Sequence, residues 1–350
     1  MTARTALLVT SDDLLAGEVL RLAAAAAVVV EIADGLGQGL GGWAAAELVL
    51  VGADQAGAAA AAAPPRRGQV HVLCSGPAPD ALFRFALDLG ASAVIELPKA
   101  AQRLGELLGD LADGVRQQAV VVAVIGGSGG VGATVLAGSL ALTAARHGPA
   151  MLADLDPWGP GLRRLVGLDD VPGVTWRDLI ESSGRLGSRA LREALPVKDG
   201  ARVLAWPEDP MGTLPPALVR EVVSAGRRGH DWVVLDVPRS ADAATLSLVA
   251  HCDHVVLVAR SALGSVASAA RTADRLRSES SSMGVVVRSR RPTPFADDVA
   301  RAVGVPLLAQ VPDQRRLDEH LDLGLGPVHA RRSPLANAAR SLVERWGTRR

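Results

Sequence analysis

The chain contains no tyrosine and three phenylalanines, and aromatic residues make up 3 % of its 350 positions. Cysteine is nearly missing too. Cys74 and Cys252 each sit in or beside an apolar run, so no disulfide framework can be built and buried reduced thiols are expected. No excess of one charge exists, because Lys+Arg and Asp+Glu number 37 each. That balance gives no global pull toward nucleic acid or an anionic membrane. No run reaches the ~18 uninterrupted apolar residues of a membrane-spanning helix. The opening MTARTALLVTSDD lacks a basic region followed by an apolar signal core. Together these absences predict a cytoplasmic location. What remains is a globular composition, 49 % hydrophobic and 21 % charged, in a chain too long for one compact core.

Short apolar runs alternate with helix-like segments along the whole chain, the pattern of parallel α/β sheets. In the first part the runs are Ala6–Thr10, Val28–Ile32, Leu48–Gly52, Val70–Ser75 and Ala93–Leu97. The segments Leu14–Leu22, Trp43–Ala46, Ala81–Leu89 and Ala101–Leu111 read as the intervening helices. Ala58–Ala63 with Pro64–Gly68 reads as a helix end and a surface loop. From Ala119 the runs become near-continuous Val/Leu/Ala strands, as in a sheet covered on both faces. The polar stretch 114–118 is the expected linker, separating a domain over 1–113 from one over 119–350. The fold class is therefore α/β, with two doubly wound parallel sheets in succession.

Asp12 and Asp13 follow the first strand, Ser75 ends the fourth, and Pro98 follows the fifth. In strand order and in these positions the first part resembles a response-regulator receiver domain, a flavodoxin-like fold with an acidic pair after its first strand. The chain departs from the pattern at two positions. Gly52 stands where the phosphoacceptor aspartate belongs, and Leu97 where the lysine belongs. Without a carboxylate nucleophile there is nothing to phosphorylate; Asp54, two residues on, is a poor substitute. A receiver-like docking or dimerising module is expected, with a plain α/β domain as the alternative.

In the second part, Gly126-Gly127-Ser128-Gly129-Gly130-Val131-Gly132-Ala133-Thr134 lies between an apolar strand and the helix-like Val135–His147. Strand, glycine-rich turn and helix is the context in which backbone N–H groups converge on a phosphate. From Gly127 the spacing is G-x4-G-x-[ST], with Thr134 placed to reach a magnesium ion and Ala133 in the lysine position. Asp154 and Asp156 close the second strand, one of them suited to a magnesium-bound water; Asp156 is the catalytic candidate. Asp236 ends the apolar strand Trp232–Val237, where a carboxylate holds magnesium opposite Thr134. Pro312 and Asp313 end the last strand, and ligands of open α/β sheets bind at such ends. His251 and His254 offer no third metal ligand and read as loop residues.

This order of motifs resembles the MinD/ParA branch of P-loop ATPases over roughly residues 119–350. The resemblance implies ATP or ADP with magnesium, held by Gly127 to Thr134, Pro312 and Asp313, and a homodimer in which a first lysine reaches the partner's phosphate. Both family lysines are missing, at Ser128 and Ala133, and Val287-Arg288-Ser289-Arg290 lacks the family's adenine-contacting asparagine. A receiver-like domain joined to a GG-x-GAT loop is similar to the CpaE/TadZ proteins, which place pilus or secretion machinery, and to the septum-site-determining group Ssd. That likeness implies a spatial regulator of cell division or of pilus and secretion placement, docking onto such proteins. Its nucleotide site would be degenerate; an active ATPase cycling on a membrane or nucleoid surface is the alternative.

A unit charge about 4 Å from a phosphate contributes roughly 4 kcal/mol at an effective dielectric near 20. One lost transition-state donor typically removes about 10²–10³ in rate. Two absent lysines therefore predict weak or no hydrolysis, whereas the loop N–H groups, helix dipole and magnesium still favour binding. Arg163, Arg164 and Arg288 are the arginines considered as substitutes. The clusters Arg288–Arg291 and Arg331-Arg332 read as solvated faces, not as a DNA interface. Leu335–Arg350 carries one apolar face, suited to closing the core or, alternatively, to peripheral membrane contact.

Overall fold

The computed structural model describes residues 5–113, 119–182, 186–207, 213–240, 248–278 and 282–347. The expected linker 114–118 lies outside them. The chain divides into two compact units, Met1–Val115 and Arg116–Arg350.

The first unit has five strands, β1 Thr5–Val9, β2 Val29–Ala33, β3 Leu48–Gly52, β4 Val70–Ser75 and β5 Ala93–Leu97. All neighbours are parallel, in the order β2-β1-β3-β4-β5, which is the flavodoxin-like winding. Between them run α1 Asp13–Ala25, α2 Leu36–Trp43, α3 Ala53–Ala62 and α4 Asp80–Leu89, with α5 Ala101–Asp113 closing the unit. β3 is central and buried along its whole length, so its sequence LVLVG is apolar without alternation. Residues on its two faces feed separate cores, Val49 and Val51 in one, Leu48 and Leu50 in the other. Two helices differ from the expected ones. α2 precedes Trp43 instead of following it, and α3 starts directly after β3. The glycines of LGQGLGGW and the bare alanines of α3 hide both helices. Burial of Gly39 and Trp43 on one face, and of Ala56 and Ala59 on the other helix, overrides that weak propensity.

The second unit has eight strands. These are β6 Val120–Gly126, β7 Ala150–Asp154, β8 Val197–Lys198, β9 Ala201–Leu204, β10 Trp232–Val237, β11 His254–Arg260, β12 Met283–Ser289 and β13 Leu307–Pro312. Their order is β13-β12-β11-β6-β10-β7-β9-β8, and β8 alone is antiparallel to its neighbour. β6 is central, so the turn that follows it opens at the middle of the sheet's carboxyl edge, flanked by the ends of β10 and β11. The helices α6 Ala133–Ala144, α7 Leu162–Val166, α8 Trp176–Glu181, α9 Ser188–Ala194, α10 Pro216–Gly229, α11 Leu263–Leu276, α12 Ala296–Val303, α13 Leu317–Asp322 and α14 Pro334–Gly347, with a 3-10 turn at Leu248–His251, complete the described elements. α6 is buried on nearly every side, consistent with its almost wholly apolar sequence.

α14 packs on α6, with Leu335, Ala339, Leu342, Val343 and Trp346 all buried. Its apolar face is spent inside the core, which removes the membrane-seeking reading of this helix in this conformation. Among the described residues, no helix is long and apolar enough to cross a membrane.

Candidate phosphate-loop site

The loop between β6 and α6 is shaped by glycine. Gly130 and Gly132 have φ of +66° and +85°, in the left-handed region that other residues rarely adopt, and Gly132 caps the N-terminus of α6. Ser128 to Thr134 line a cavity of about 450 Å³ together with Asp156, Trp158, Asp236 and Arg239. Gly127 is not part of the lining. Its N–H donates to the Val258 carbonyl at 2.8 Å, and a Cβ there would come within 2.5 Å of Ala269 Cβ. This glycine serves close helix–sheet packing. The Ser128 hydroxyl shares a 2.8 Å hydrogen bond with Ser265 at the start of α11, which ties the loop to that helix.

The floor of the cavity is acidic. Thr134 and Asp236 both line it, which brings together the two residues expected to hold magnesium. Asp236 is 3 % exposed, and its carboxyl is raised to about 7, first by burial and also by the nearby Asp156, against the favourable influence of the Thr134 hydroxyl. Asp154 stands directly opposite Asp236 in the β7–β10 register. It is 2 % exposed and accepts from the N–H groups of Asp156 at 3.0 Å and Leu162 at 3.3 Å. Its pKa is raised by burial and by Asp236. Asp156, the catalytic candidate, is half-buried on the cavity wall and accepts from the Trp158 N–H at 3.0 Å. Two carboxylates, Asp156 and Asp236, thus line the cavity beside the loop without a lysine among them, and Asp154 lies next to Asp236 on the adjacent strand. An all-oxygen set containing a hydroxyl and buried carboxylates fits a hard divalent cation such as magnesium. Asp154 was legible as the first carboxylate of DLDP, but its pairing with Asp236 depends on strand order.

Pro312 and Asp313 lie outside this cavity. Asp313 is bound up with arginines, at 3.3 Å from Arg260 Nη2 and 3.4 Å from Arg288 Nη2. The basic cluster expected to be a solvated face is therefore divided. Arg290 and Arg291 are exposed, whereas Arg288 is 4 % exposed. Burial lowers the Arg288 pKa, and attraction to Asp313 only partly opposes that. Of the other substitutes, Arg163 donates to the carbonyls of Leu168 and Val171, and Arg164 is exposed beside a neighbouring cavity. His254 stacks on Trp346 at 4.4 Å, and no group of three metal-ligating side chains occurs among the described residues.

The corresponding place in the first unit is closed. Asp54 accepts from Thr10 Oγ1 at 2.7 Å, from the Ser11 N–H at 2.8 Å, from Ser11 Oγ at 2.9 Å and from Gln55 Nε2 at 3.0 Å. Burial would raise its pKa, but these hydrogen bonds outweigh that and hold it below the ordinary value. A Cβ on Gly52 would collide with Asp54 Oδ1 and come within 2.5 Å of Thr10 Oγ1. Asp12, one of the expected acidic pair, instead caps α1 by accepting from the Leu14 and Leu15 N–H groups.

Residues 9–119 match the family described as "Rv3660c-like, CheY-like N-terminal domain". Over 310 residues the chain is 39 % identical to the uncharacterized protein Rv3660c of Mycobacterium tuberculosis, covering 86 % of both. It is 25 % identical to the chloroplastic septum site-determining protein MinD homologue of Arabidopsis thaliana, across 45 % of this chain and 48 % of that one. Among solved structures, the ParA family ATPase from Chlorobium tepidum aligns with a TM-score of 0.56 at 14 % identity, over 65 % of this chain and 99 % of its own. MinD in the MinC:MinD cell division complex of Aquifex aeolicus aligns at 0.53 and 20 %, over 66 % and 96 %. The septum site-determining protein MinD of Pyrococcus horikoshii, complexed with Mg-ADP, aligns at 0.51 and 19 %, over 65 % and 95 %. These likenesses show the fold, a CheY-like unit followed by a MinD/ParA-like P-loop unit.

Proposed function

The chain belongs to the family of Rv3660c-like proteins, and from that premise we propose that it is a spatial regulator of cell division whose loop binds Mg-ADP or Mg-ATP with weak or absent hydrolysis. The carrying observation is that Thr134 and Asp236 line one glycine-rich cavity that contains no lysine. In this reading Ser128 to Thr134 surround the phosphates, and Thr134 and Asp236 hold magnesium, which supplies positive charge to the phosphate oxygens. Asp156, on the same cavity wall, would be placed to orient water at that ion. The MinD names among its relatives and fold neighbours support the division role. The finer assignment is to the Ssd and CpaE/TadZ group. It entails a homodimer, and docking of the CheY-like unit onto division, pilus or secretion proteins.

Titration calorimetry with Mg-ADP and Mg-ATP tests the reading. Binding by wild-type protein, lost in Asp236→Ala, together with phosphate release near background, is expected. Absence of heat in the wild type would reject a working site. Turnover abolished by Asp236→Ala would instead establish an active ATPase.

A further inference from the structure

Three features meet at the N-terminus of α6. The first is a buried cation. Arg288, near the end of β12, is 4 % exposed, and its guanidinium rests on the loop so closely that a Cβ added to Gly132 would collide with Nη1. The second is incomplete neutralisation. Asp313 is shared between Arg288 and Arg260 at 3.4 and 3.3 Å, Asp318 adds a smaller attraction, and Arg288 Nε has no hydrogen-bond partner among the described residues. The third is the helix end itself. α6 is 12 residues long, and its unpaired N–H groups carry partial positive charge toward the same place.

A cation buried against a positive helix end, with half a counter-ion, is an unfavourable arrangement on its own. An anion on the loop relieves both repulsions together. The chain also has little lysine to use, only Lys99 and Lys198, so its cations are almost all arginine. We propose that Arg288 supplies, from behind the loop, the positive charge that residue 133 does not, and that the site takes a phosphate or diphosphate group. The group is either a free anion or the terminal phosphates of a nucleotide. This rests on the phosphate-loop reading above and adds the residue on which affinity depends. Gly132 is then required twice, for its backbone conformation and for the room it leaves Arg288.

The test is calorimetry on the full chain with Mg-pyrophosphate and with Mg-ADP. Arg288→Met should weaken both by about tenfold or more, the usual scale for losing a charged partner, and Arg288→Lys should recover part of the loss. Asp313→Asn, which frees both arginines from their shared carboxylate, should tighten both. A wild type that binds neither probe would reject the phosphate-loop reading itself. A wild type that binds, with Arg288→Met unchanged or weakened for Mg-ADP alone, would overturn the role of Arg288 and leave the loop reading standing. If Arg288→Met fails to fold, Asp313→Asn decides: tighter binding supports the proposal, and unchanged or weaker binding overturns it.

Discussion

At Ala133 and at Gly52 the chain has small residues in places where charge was expected, yet the surroundings of the two positions differ. Ala133 lines an open cavity together with the carboxylates of Asp156 and Asp236, so a cation there has room and partners. Ala133→Lys should raise Mg-ADP affinity about tenfold or more, read by calorimetry against wild type. Gly52 faces the Asp54 carboxylate and Thr10, so a side chain there meets occupied space. Gly52→Asp should destabilise the first unit by about 1–3 kcal/mol, the usual cost of overpacking. It should also fail to take phosphate from a small phosphodonor, as melting and labelling would show. Both gaps were legible in the sequence, because each is a missing residue in a known pattern. Their difference was not, since it depends on Asp54 folding back onto Thr10 and Ser11 from 43–44 residues away. Arg288 was legible as one of three candidate substitutes, but its place was not. Its arginine-rich cluster suggested solvent, and only the strand order β12-β11-β6 brings it to the loop.

Strands were easier to read than helices, for a physical reason. A strand buried on both faces must be apolar throughout, so β1, β3, β6, β10 and β11 announce themselves. β8 has two residues, and α7 to α9 are short segments whose hydrogen bonding is local, so nothing periodic marks them. β4 contains one exception to apolar filling. His71 is 4 % exposed, and neither ring nitrogen has a hydrogen-bond partner among the described residues. Burial lowers its pKa, and the Arg103 charge adds to the effect. The unfolded chain therefore takes up a proton near the ordinary value of 6.5, while the folded sheet resists it. Stability should be constant with respect to this residue above pH 6.5 and fall as pH drops below it, until the folded imidazole also protonates. Denaturant melts at pH 7.5 and 5.5 would show the loss, and His71→Leu should reduce the difference between them.

Each unit has cores of its own on both faces of its own sheet: Ala6 to Leu111 in the first, Ala119 to Trp346 in the second. Two self-sufficient cores predict two cooperative unfolding events, because each sheet loses its packing independently. The proposed ligand site belongs wholly to the second unit, with every lining residue between Gly126 and Ser240. Binding to a native unit stabilises that unit by mass action, about 2.7 kcal/mol at a ligand concentration 100 times Kd. For a unit of this size that amounts to roughly 5–10 °C in Tm. Mg-ADP should therefore move the transition of the second unit alone. Trp43 is the one tryptophan of the first unit and is 2 % exposed, so a Trp43→Phe variant identifies which fluorescence transition belongs to which sheet. A shift confined to the second event would establish binding without coupling. A shift in both would mean that nucleotide occupancy reaches the CheY-like unit, the behaviour required if the loop governs when that unit docks.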